Sequence, residues 1–64
     1  MFIETQYETH GKLITRYINL NQVVSLGDAE GDRREDGFLT VLFMPNGYAM
    51  FSKMPPSEII ALTK

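Results

Sequence analysis

Two apolar runs, Phe38 to Met44 and Tyr48 to Lys53, are separated only by Pro45-Asn46-Gly47. Asn-Gly between apolar runs is a strong hairpin signal, because both residues accept the positive φ that a tight turn demands. A two-residue Asn46-Gly47 loop places Leu39, Val41, Phe43 and Met50 on one face of this hairpin, and Phe38, Leu42, Met44 and Phe51 on the other. Both faces are then apolar. A sheet with two apolar faces must be covered twice, and this demand constrains the chain more than any other feature.

Little material is available to meet it. The chain has 64 residues, read as one domain over 1–64. A domain of this size buries about 60% of the surface its unfolded chain exposes, so a second stabilising device is the rule. Cysteine is absent, which removes disulfides and thiolate metal sites. His10 is the single histidine, so a zinc site would rest almost wholly on carboxylates. No cofactor or metal is expected, and oligomerisation is the device left.

The rest of the chain reads as further β-structure. Phe2 to Glu8 and Lys12 to Ile18 form a second hairpin around His10-Gly11. In that register Ile3, Tyr7, Ile14 and Ile18 share one face, while Glu4, Gln6, Glu8, Leu13, Thr15 and Tyr17 share the other. Arg16, opposite Thr5, is the misfit on the apolar face. Asn19-Leu20-Asn21 reads as a turn and Gln22 to Leu26 as a short third strand. Gly27 to Gly37 carries no apolar side chain larger than Ala29 and reads as a solvated, mobile loop. After Met54-Pro55-Pro56, a short helix fits Pro56 to Thr63, with Glu58 and Lys64 suiting its dipole. The expected fold is mainly β (α+β): a small antiparallel sheet or partial barrel of about five strands with one short C-terminal helix.

Most function classes find no support. The net charge of −2 lacks the clustered basic face of a phosphate binder, although Tyr7, Tyr17, Tyr48 and Phe51 are residues on which bases stack. Nucleic acid is therefore not the expected partner. Counted from Asp28 as a calcium loop, positions six and twelve fall on Arg33 and Leu39 instead of Gly and Glu. His10 sits at a hairpin tip without a pocket, and Ser25, Ser52 and Ser57 lack a neighbouring base. The chain is expected not to be an enzyme. No apolar stretch approaches the ~20 residues that span a bilayer. Nor does a basic region precede an apolar run at the N-terminus, so a cytoplasmic protein is expected.

Tyr17-Ile-Asn-Leu-Asn-Gln-Val-Val-Ser-Leu26, Leu39-Thr-Val-Leu-Phe-Met-Pro-Asn-Gly47 and Ser57-Glu-Ile-Ile60 together resemble the small FlbD-like proteins associated with bacterial flagella. The resemblance covers about two-thirds of the chain. It implies a compact β-rich fold and a non-enzymatic accessory or regulatory role in a small bacterial protein.

The resulting expectation is a protein-binding or regulatory module that forms a homodimer through an apolar β-sheet face. Leu39, Val41, Phe43, Tyr48 and Met50 are its expected interface. Asp28, Glu30, Asp32, Arg33, Arg34, Glu35 and Asp36 would be its specificity loop. The alternative is a phage- or mobile-element-encoded inhibitor that masks a host protein. A single-stranded nucleic-acid binder ranks behind both.

Overall fold

The computed structural model describes residues 1–63; the dipole role expected of Lys64 lies outside them. Five strands form one open antiparallel sheet: β1 (Phe2–Thr9), β2 (Lys12–Asn19), β3 (Ser25–Asp28), β4 (Thr40–Phe43) and β5 (Ala49–Ser52). Their order is β2-β1-β5-β4-β3, so β2 and β3 are the edges and β5 joins the two halves. The mainly β fold with a short C-terminal helix is as expected, and the sheet is open, not a barrel.

The first hairpin follows its sequence pattern. His10 and Gly11 both take positive φ, 50° and 76°, closing a two-residue turn whose twist matches the strands. Ile3 opposes Ile18, Thr5 opposes Arg16 and Tyr7 opposes Ile14, all on one face.

The second hairpin corrects its sequence reading. Gly47 N–H donates to the Met44 carbonyl (2.9 Å) and Met44 N–H donates to that of Tyr48 (2.9 Å). Pro45 therefore belongs to the loop, which has three residues and carries Gly47 at φ 88°. Phe43 opposes Ala49, Leu42 opposes Met50 and Val41 opposes Phe51. This register is one residue away from that of a two-residue loop, and one residue turns every β5 side chain to the opposite face. Met50 thus sits with Leu42 in the core, and Phe51 sits with Val41 outside it.

On the inner face, Ile3, Ile18, Leu20, Leu42, Met50 and Ile59 form the core. Its cover is α2 (Pro56–Leu62), which inserts the fully buried Ile59. Pro56 starts this helix where a missing N–H costs nothing, and Thr63 closes it by donating to the Ile60 carbonyl (2.7 Å). Buried Thr40 donates to the Met54 carbonyl (2.6 Å), and the Ser52 hydroxyl accepts from Met54 N–H (3.0 Å). These bonds anchor the chain where it leaves β5 for the helix.

Two further segments differ from expectation. Leu20–Gln22 is a turn of 3-10 helix, with Asn19 capping it through a bond from Asn21 N–H (3.0 Å), and the third strand starts only at Ser25. The capped turn uses the backbone groups that an earlier strand would need, and it buries Leu20. Gly27 to Gly37 is not a loop throughout. Gly27 and Asp28 pair with β4, and Gly31–Glu35 forms a second helix, α1. Phe38 N–H donates to the Arg33 carbonyl and Gly37 N–H to that of Arg34, both at 3.1 Å. With Gly37 at φ 99°, this is the bonding of a Schellman cap, and it stops the helix after little more than one turn.

Candidate functional site

The expected interface divides between the two faces of the sheet. Leu39 and Val41 are half-buried on the outer face, where Phe43 is 44% exposed. Met50 is a core residue and leaves the set, for the register reason given above. Tyr48, 56% exposed, lies beyond the core and stacks on Tyr7, with ring centroids 6.0 Å apart and planes 7° from parallel. The guanidinium of Arg16 stands 5.6 Å from the Tyr7 centroid. The misfit of the first hairpin thus finds a π-face, which suits a weakly hydrated planar cation.

The expected specificity loop separates in the same way. Asp28 ends β3, and Ala29 behind it is buried. Arg33 is the member that turns inward. Its guanidinium lies 5.6 Å from the Phe51 centroid, pairs with Glu8 of β1, and bonds Asp36 at 2.9 Å. Phe38, almost fully buried, meets Phe51 from the other side, with centroids 6.0 Å apart. Arg33 of α1 and Phe38 therefore cover Phe51 on the second apolar face, while Phe43 on that face stays exposed. Glu30, Asp32, Arg34, Glu35 and Asp36 remain at the surface.

Outside the expected sets, three exposed apolar residues follow one another along β2. Leu13 and Tyr17 project from the outer face at 43% and 66% exposure, and Ile14 projects from the inner face at 37%. Nothing pairs with the outer side of this strand among the described residues. The Tyr17 hydroxyl donates a long bond to Glu4, at 3.4 Å. Sequence patterning identifies the strand and its side-chain faces. Its position at an edge depends on how β1 docks on β5, through the single pairing Gln6–Phe51. No local signal encodes that long-range contact.

His10 is exposed at its hairpin tip, and the described residues hold no group of three or more His, Cys, Asp or Glu placed for a metal. Comparison with protein families, with characterised proteins and with solved structures finds no match to the chain.

Proposed function

We propose that this protein is a non-catalytic module that works by protein contact and self-association, using the apolar surface around its outer hairpin. One observation carries the reading: Leu13, Ile14 and Tyr17 are exposed on both sides of one edge strand. An edge strand presents a row of backbone donors and acceptors, and apolar side chains beside it supply the burial that a contact needs. The stacked Tyr7–Tyr48 pair with Arg16 extends the same region on the inner face. Tyrosine and arginine are the residue types on which binding energy concentrates. Phe43, on the outer face toward the other edge, is a secondary contact point.

Photo-crosslinking tests the reading. A photoreactive phenylalanine analogue replaces Tyr17 in one variant and Ser57, an exposed position on α2, in another. Protein adducts in the producing cell should form several-fold more from position 17, whether with the chain itself or with a foreign protein. Equal adducts from both positions, or none from either, would rule out a contact module built on this hairpin.

A further inference from the structure

Resting on that reading, we infer that two copies of this chain pair edge to edge through β2, antiparallel about a two-fold axis at Thr15, so that their sheets become one. The first ground is the direction of the backbone groups. The Thr5 hydroxyl donates to the Arg16 carbonyl (2.8 Å), and Leu20 N–H donates to that of Met1 (2.9 Å). Even-numbered residues of β2 therefore aim their backbone at β1. In an antiparallel ladder the intervening residues point the other way, so Leu13, Thr15 and Tyr17 offer N–H and C=O groups outward.

The second ground is the contrast between the two edges. Strand β3 has four residues, contains Gly27 and ends in Asp28, and a short charged edge discourages pairing. Strand β2 has eight residues with no proline, glycine or acidic side chain. Its positive charges, Lys12 and Arg16, both lie on the inner face. Lys12 lies at the end of the strand and Arg16 is held over the Tyr7 ring, so the outer-face row of Leu13, Thr15 and Tyr17 carries no charge.

Overlap of the two eight-residue strands favours a central axis, and charge then chooses among the central registers. An antiparallel ladder sets outward-pointing residues opposite one another, so a two-fold axis falls on a residue. An axis at Ile14 would put Lys12 opposite Arg16 of the second copy. An axis at Arg16 would put that residue opposite itself. Like charges directly opposed destabilise a sheet. The axis at Thr15 avoids both clashes: Leu13 faces Tyr17, Thr15 faces Thr15, and Ile14 faces Arg16. Aromatic–aliphatic and Thr–Thr pairs are among the favourable cross-strand neighbours, so the strand complements itself in this register.

The absence of cysteine makes the test direct. Sedimentation of the natural chain should show a dimer that dissociates on dilution. Ile14→Cys, Thr15→Cys and Arg16→Cys, made singly and mildly oxidised, should give the most disulfide dimer from Thr15→Cys. Facing residues of a bonded pair lie about 5.5 Å apart at Cα, within disulfide reach. Thr15→Pro removes an outward N–H and spares the β1 ladder, so it should give a monomer with an unchanged circular dichroism spectrum. Should that variant unfold, Leu13→Lys/Tyr17→Lys places lysines opposite one another and should give the same monomer. A chain that stays monomeric at every concentration overturns the inference, as does a disulfide maximum at position 14 or 16. A dimer that survives the folded edge variant overturns it too. Foreign adducts at position 17 with a monomeric chain defeat this inference alone, while no adducts and no dimer defeat the contact reading as well.

Discussion

Arg33 covers Phe51 on the second apolar face. Its guanidinium lies over Phe51, and its charge is met by Glu8 and Asp36. Glu8 and Asp36 are both about half exposed, so the ion pairs contribute little, and the packing over Phe51 contributes more. Arg33→Ala should lower the unfolding free energy by about 1–2 kcal/mol in urea titration, and Glu8→Gln by less than about 1 kcal/mol. A loss from Glu8→Gln as large as that from Arg33→Ala would show that charge, not cover, is the main term. At the other hairpin, His10 occupies φ 50°, where a branched or bulky side chain is strained. Asparagine tolerates that region better, so His10→Asn should raise the melting temperature by a degree or so, on the order of a few tenths of a kcal/mol. Sequence patterning identified Arg16 and the Arg33 segment as unusual. It could not supply their partners, because Tyr7 and Phe51 are brought to them from other strands.

Among the elements, the β4–β5 turn has the widest consequences. Its three residues put Met50 inside with Leu42 and leave Phe43 outside with Ala49. Met50→Asp should abolish the cooperative unfolding transition, since an unpaired buried carboxylate costs several kcal/mol in a small domain. Phe43→Asp should stay folded. Amide spectra of the two variants check this directly, and equal effects would restore the two-residue loop, which puts Phe43 and Met50 on one face. Asn-Gly made the hairpin legible and Pro45 obscured its length, because proline suits both the end of an edge strand and the first corner of a turn. Helix α1 was legible in principle. Asp32 in its first turn, Arg33 and Arg34 in its last, and Gly37 beyond its end are helix punctuation. Five residues without a buried side chain are too few for periodicity to reveal. Gly37→Ala, which would force a Cβ into a left-handed residue, should cost about 1 kcal/mol in the same titration.

Over the whole molecule, stability and association are joined. If the β2 edges pair, the folded dimer is favoured by mass action, and the melting temperature should rise with protein concentration. Thr15→Pro should remove that dependence. A natural chain whose melting temperature is independent of concentration would separate the fold from self-association. By itself, the sequence determined the elements whose signals are local: the His10-Gly11 hairpin, the Asn-Gly reversal, the proline-started C-terminal helix, and the need to cover two apolar faces. Period-two alternation and turn chemistry act over a few residues, so they can be read without knowing what lies opposite. Only the tertiary structure decided strand order, the side to which Met50 and Phe51 turn, and the use of a charged segment as a lid on Phe51. It also decided that β2 lies at an edge. Each of these depends on contacts between residues far apart in the chain, whose favourable geometry exists only once the sheet has assembled.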